Sequence, residues 1–143
     1  MPYHYLEDIA IADVAFEARG RSLEEMFAAS ADALLNVMVA DPAAVRESEE
    51  VNIRLENRDL EMLLFDLLCE LVFYKDSRLL LLRVKSASIE LLDDNYTLTA
   101  VARGERIDPS RHPLTVDVKA VTLHRFTVEE TAEGWRSEVV LDI

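Results

Sequence analysis

Residues 22–42 read SLEEMFAASADALLNVMVADP, and residues 59–74 read DLEMLLFDLLCELVFY. These two stretches decide the fold, because each carries a helical apolar period, the first from a start signal at Ser22 and the second from about Asp59 to Tyr74. Ser22-Leu23-Glu24-Glu25 is a capping box, in which a serine hydroxyl takes an orphan amide and a glutamate reaches back over the helix start. Leu23, Met26, Phe27, Ser30, Leu34, Val37 and Met38 follow at helical spacing, a stripe suited to packing on a flat surface. Asp41-Pro42 stops this helix, since a residue before proline is pushed out of helical backbone. In the second stretch Leu60, Leu63, Leu64, Leu67, Leu68 and Leu71 make the core face. Met62, Phe65 and Val72 widen that face, which predicts a helix covered on more than one side.

Outward from the helices the period changes to two. Ala10 to Arg19 alternates, with Val14, Phe16 and Ala18 on one face and Asp13, Ala15 and Glu17 on the other, until Gly20 breaks it. Val51, Ile53 and Leu55 alternate with Asn52, Arg54 and Glu56 as a half-buried strand. Beyond the second helix, Leu79 to Val84 is apolar, and Ala87, Ile89 and Leu91 alternate up to a turn at Asp93-Asp94-Asn95. Tyr96, Leu98, Ala100 and Ala102 alternate up to Gly104, and Leu114 to Val121, Leu123 to Val128 and Trp135 to Ile143 read as further strands. The order β, α, β, α, then a β meander predicts an α+β fold. Two helices pack on one face of a mixed, largely antiparallel β-sheet, in two layers. With 3 Gly, 4 Pro and no Gly/Ser linker, residues 1–143 form one domain.

The composition excludes several function classes. Acidic residues number 28 against 15 basic ones, a net charge of −13. A groove for bare nucleic acid needs clustered Lys and Arg, so this balance points instead to a partner with basic patches or to a bound cation. Cys69 stands alone beside Leu67, Leu68 and Leu71, which excludes an intramolecular disulfide and a Cys-rich zinc site and suits an inert core thiol. The start MPYHYLEDIAIADVAF lacks the basic opening of a signal peptide, and no run approaches the roughly 20 apolar residues of a membrane span. A cytoplasmic location is the expectation. His4, His112 and His124 show no metal-ligand spacing, and neither a Gly-rich phosphate loop nor a Gly-x-Ser-x-Gly elbow occurs.

The carboxylates say more. Asp13 lies between Ala12 and Val14, and Asp142 lies between Leu141 and Ile143, both in apolar strand contexts where an acid is unusual. Glu138, Val140 and Asp142 share one strand face, while Val139, Leu141 and Ile143 share the other. If the first and last strands are neighbours, Asp13 and Asp142 meet. Either both are solvated acids at a sheet edge, or they share a cation that relieves their repulsion. Ile143 would add oxygen, and an all-oxygen set suits Ca²⁺, Mg²⁺ or Mn²⁺. Lys119 reads as a strand cation or an ion pair with Asp117 or Glu105, His124 as a hydrogen-bonded sheet histidine, and Gly104-Glu105 as a turn.

Four segments in register resemble the archease family. They are Ala12-Asp13-Val14 with Gly20 and Leu23-Glu24-Glu25-Met26-Phe27; Asp59-Leu60-Glu61-Met62-Leu63-Leu64; Gly104-Glu105 with Val118-Lys119-Ala120-Val121-Thr122-Leu123-His124; and Val139-Val140-Leu141-Asp142-Ile143. The Lys-Ala-Val-Thr-x-His string is the most specific. Where many members carry His-Thr-Ala-Asp, this chain has Ala10-Ile11-Ala12-Asp13, so a family histidine is replaced and His4 is the nearby candidate to stand in. The resemblance implies a non-catalytic accessory protein. Its partner would be an RtcB-type RNA-splicing ligase, which uses GTP and Mn²⁺ to join RNA ends in tRNA splicing and RNA repair. The accessory protein would promote guanylylation of the ligase and multiple turnover. The resemblance further implies a divalent-metal site of Asp13, Asp142 and Ile143. The competing readings are a small metal-dependent hydrolase using the same carboxylates, a metal-independent chaperone-like binding module, and a structural subunit of a larger complex.

Overall fold

A computed structural model of the chain describes residues 2–6 and 13–143; Ala10, Ile11 and Ala12 of the expected first strand lie outside them. The elements are β1 (Tyr3–Leu6), β2 (Asp13–Gly20), α1 (Leu23–Met38), β3 (Glu49–Asn57), α2 (Leu60–Arg78), β4 (Leu80–Leu92), β5 (Asn95–Arg106), β6 (Ala120–Thr131) and β7 (Gly134–Asp142), with a 3₁₀ turn at Pro42–Ala44. The α+β class stands. The strands, however, divide into two sheets, β1-β2-β7-β6 and β3-β5-β4, and every pairing described is antiparallel. Alternation specifies that a segment is a strand and which face is wet. It does not specify which neighbour the strand takes, so one sheet and two sheets share one pattern.

The capping box forms as read. Ser22 Oγ accepts the Glu25 amide at 3.1 Å, and the Glu25 carboxylate accepts the Arg21 amide at 2.8 Å. α1 touches β2 and β7 of one sheet and β4 of the other, and is buried nearly all round. Its small residues Ala29, Ser30, Ala31 and Ala33 let both sheets approach the helix axis. The leucine-rich α2 also meets both sheets, through β6 on one side and β3 and β4 on the other, as the breadth of its apolar face predicts. Its Phe73, Asp76, Ser77 and Arg78 remain exposed. Ser30 gives its proton to the Met26 carbonyl at 2.9 Å, so the buried Ser137 hydroxyl of β7, 2.8 Å away, donates to Ser30. That contact ties α1 to the four-stranded sheet.

The apolar run after α2 and the alternating run before the turn form one strand, β4, with a bulge between Val84 and Ser86. The β4–β5 turn places Asp93 and Asp94 at φ 52° and 59°, the left-handed pair of a tight hairpin. Opposite Leu82, Gly104 of β5 lies so close to the Leu81 carbonyl that a Cβ there would collide with main chain. The expected strand Leu114 to Val121 does not form. Only Leu114 makes a bridge, to Val39, and β6 begins at Ala120. β6 then continues through a bulge between Thr122 and Thr127. From Leu114 to Lys119 only Val118 is buried, Leu114 and Val116 are exposed, and main-chain hydrogen bonds hold the segment to the body. Thr115 donates its amide to Met38 O at 3.0 Å, and Ala40 donates to Pro113 O at 2.8 Å.

Candidate functional site

β2 and β7 are neighbours, and their register places Asp13 opposite Asp142, Ala15 opposite Val140, Glu17 opposite Glu138 and Arg19 opposite Arg136. Opposed residues of an antiparallel pair project from the same face. One face of the four-stranded sheet therefore carries two acid pairs, separated by Ala15 and Val140, which are both 1% exposed.

The two acid pairs are treated differently. Glu17 and Glu138 are bridged by Arg136, whose Nε lies 3.0 Å from Glu17 and whose Nη2 lies 2.8 Å from Glu138. Arg19 adds a 2.6 Å contact to Glu17, and Arg125 a 3.1 Å contact to Glu138. Burial pushes the Glu17 carboxyl up, but the hydrogen bonds from Arg19 and Arg136 outweigh it and hold the group below its ordinary value. Asp13 and Asp142 are half-buried, and among the described residues no Lys, Arg or His forms an ion pair with either. On its other side Asp142 faces Ala120 of β6, which offers only a methyl group. Opposed like charges destabilise a strand pair unless a cation intervenes.

The main chain around Asp142 is held firmly. Its carbonyl accepts the Lys119 amide at 2.8 Å. The other end of that peptide unit, Val118 O, accepts from Lys75 Nζ at 2.7 Å. Lys75 is a buried ammonium of α2 that also meets Asp117 and Asp76, each at 2.6 Å. Lys75 therefore positions the end of β7 through one peptide group. Ile143 is half-buried and packs on the core.

The remaining candidates separate. Lys119 is exposed and does not take the predicted partners: Asp117 belongs to Lys75, and Glu105 to Arg111 and His112. His124 is exposed in the β6 bulge, not bonded within the sheet, because the bulge lifts residues 123–126 out of register. His4 lies opposite Glu17, so it accompanies the glutamate pair and not Asp13. Gly104-Glu105 is not a turn but the end of β5.

Sequence reasoning missed the buried cluster that Glu105 builds. Its carboxylate accepts the Arg46 amide at 2.7 Å and takes His112 Nε2 at 2.8 Å, with Arg111 alongside. His112 Nδ1 accepts the Asp108 amide at 2.9 Å, so the ring proton sits on Nε2 and points at Glu105. The Arg111 hydrogen bond holds the Glu105 carboxyl down to about 2. An acid just after a strand glycine, with Arg-His six and seven residues on, was the available signal.

Chemically, the Asp13–Asp142 end offers oxygen donors only, with a charge excess that the neighbouring glutamate pair does not have. Such a set fits a hard divalent cation with water completing its shell. Among the described residues no three His, Cys, Asp or Glu side chains converge into a fuller site. No helix is long and apolar enough to cross a membrane.

Comparison with known proteins finds similarity along nearly the whole chain. The model of the Archease protein family matches residues 3–143. "Protein archease" of Methanosarcina acetivorans is 36% identical over 142 residues, covering 99% of this chain and 95% of its own. That of Pyrococcus abyssi is 38% identical over 133 residues, covering 92% of this chain and 93% of its own. Among solved structures, protein 1598 of Methanobacterium thermoautotrophicum is 34% identical, with a TM-score of 0.86 over 99% of both chains. The Thermotoga maritima archease, described as a possible chaperone, superposes with a TM-score of 0.63 over 98% of both chains. At 21% identity that likeness concerns the fold alone.

Proposed function

The chain belongs to the archease family, and on that premise we propose that it is an accessory protein that activates an RtcB-type RNA-splicing ligase in the cytoplasm. It promotes GTP-dependent guanylylation and repeated turnover of that ligase in tRNA splicing and RNA repair, without catalysing a reaction itself. The observation that carries this reading is the Asp13–Asp142 pair. It is an opposed acid pair in a sheet whose other acid pair is matched by three arginines, whereas no described cation pairs with it.

Asp13, Asp142 and an oxygen of Ile143 are the residues that would hold a divalent cation, Ca²⁺, Mg²⁺ or Mn²⁺. When bound, that cation supplies positive charge between the carboxylates and a Lewis-acidic centre near the partner's own chemistry. The chain's part is positional. β2 and β7 set the two carboxylates opposite each other, and Lys75 with the Val118–Lys119 peptide fixes the Asp142 backbone. A charge of −13 opposes direct gripping of RNA and favours docking on a basic, RNA-handling protein.

The test counts ligations per ligase molecule with excess cleaved RNA, GTP and Mn²⁺. The wild-type chain raises the count from about one to many, whereas Asp13→Ala, still folded, does not. Stimulation that survives Asp13→Ala and EDTA pretreatment of the chain overturns the metal site and leaves a metal-independent, chaperone-like binder. Turnover of phosphoesters by the chain alone would instead reveal a hydrolase.

A further inference from the structure

Half of the large apolar side chains that the described residues expose gather at one place. Of Tyr5, Phe73, Leu79, Leu91, Leu92, Leu114, Val116 and Leu123, four (Phe73, Leu79, Leu114 and Val116) surround the C-terminal end of α2. Two shallow depressions lie there. One runs between Met38, Leu81, Ile107, Leu114 and Val116; the other runs between Cys69, Val72, Phe73 and Val121. The Leu79 carbonyl accepts the amide of Ile107, a lining residue of the first, at 2.7 Å.

Between the depressions stands an acidic saddle. Lys75 Nζ is buried beneath Asp76 and Asp117, whose side chains are 55% and 69% exposed. Two carboxylates share one buried ammonium, so their free oxygen lone pairs face solvent, with the exposed Lys119 beside Asp76 on the rim of the second depression. Single exposed leucines are ordinary on a protein surface, but exposed apolar side chains gathered in one place and rimmed by polar groups mark an interaction site.

We propose that this surface is the docking site for the partner protein, and that the partner presents an apolar anchor on each side of an arginine or lysine. The proposal rests on the reading that the chain activates an RNA ligase. An enzyme that holds RNA must display basic surface, which complements the saddle and the −13 charge of the chain. A second copy of this chain, equally acidic, would be repelled. The location also suits the function. Lys119 and Ala120 line the second depression, and Ala120 is the strand partner of Asp142, so a partner seated here lies beside the acid pair.

The experiment measures binding of the purified cognate ligase to the immobilised chain by surface plasmon resonance. Phe73→Ser with Val116→Ser weakens Kd at least tenfold, while Mn²⁺ binding by calorimetry and thermal unfolding match wild type. Asp76→Arg, which leaves Asp117 to Lys75, slows association several-fold, and added salt slows wild-type association in the same direction. Leu92→Ser, at the β4–β5 turn, binds as wild type. A double variant that binds as tightly as wild type overturns the surface alone. So does a wild-type dimer in sedimentation that the double variant dissolves. A wild-type chain with no affinity for the ligase overturns the functional reading and the surface with it.

Discussion

Removing one charge from the Asp13–Asp142 pair should stabilise the metal-free protein, an unusual outcome for a change in a strand. The pair is opposed in register, which sets its Cβ atoms about 5 Å apart. Two negative charges at that distance repel by about 1 kcal/mol in water and about 3 kcal/mol at an effective dielectric of about 20. Both side chains are half-buried and wetted, so the lower figure applies. Asp13→Asn in EDTA at pH 7 and low salt should therefore raise Tm by about 3 °C. High salt should shrink the difference, because the repulsion is screened. Glu17→Gln, one acid pair along the same strands, should do the reverse. Its carboxylate accepts from Arg19 and Arg136, and weakening charge-assisted bonds of this kind costs about 2 kcal/mol. Saturating Mn²⁺, at about 100 times Kd, should then stabilise wild type by about 2.7 kcal/mol and leave Asp13→Asn unmoved. Differential scanning calorimetry reads all of these. A lower Tm for metal-free Asp13→Asn than for wild type would refute the reasoning, since the pair would then be satisfied without a cation.

Three other changes probe the frame of the site. Gly104→Ala drives a methyl into the Leu81 carbonyl, where main chain cannot yield, and should cost about 3 kcal/mol in urea unfolding; a cost under about 1 kcal/mol would show that β4 and β5 separate easily. Arg111 holds the Glu105 carboxyl down to about 2, below the ordinary 4.5, so its stabilisation is full above about pH 5 and is lost as pH falls toward 2. Glu105→Gln should flatten the fall in unfolding free energy over that window, and a slope equal to wild type contradicts the assignment. Lys75→Met leaves the buried Val118 carbonyl without its donor and should cost about 1–3 kcal/mol, with amide exchange at Lys119 accelerated; unchanged exchange there would remove Lys75 from its positioning role.

Local signals proved legible where the physics is local. A capping box, a helical period and a stop act within a few residues, and α1 and α2 start where Ser22 and Asp59 predict. The β4–β5 turn needs two left-handed residues, and Asp93-Asp94 announced them. Leu114 to Val121 misled because Leu114 and Val116 alternate as in a strand yet stay exposed, with Val118 alone buried before β6. Met38, Val39 and Lys75 supply the partners that a neighbouring strand would otherwise have supplied. Breadth of the apolar face foretold that α2 is covered from two sides, whereas the stripe of α1 announced one flat surface and not two. The alanines and Ser30 of α1 look unremarkable in sequence, yet their small size admits both sheets.

By itself, the sequence settled the two helices, the strand character of most of the alternating runs, the acidic balance of charge, and the two out-of-place acids, Asp13 and Asp142. Each of these depends on composition or on neighbours a few positions apart. The tertiary structure alone decided that β2 lies against β7, that the strands part into two sheets, and that Glu105 seals His112. It also decided that one acid pair finds arginines, whereas no described cation pairs with the other. Strand pairing joins residues more than a hundred positions apart, and an alternating strand fits many partners equally well. Only the closing of the whole core around α1 selects one.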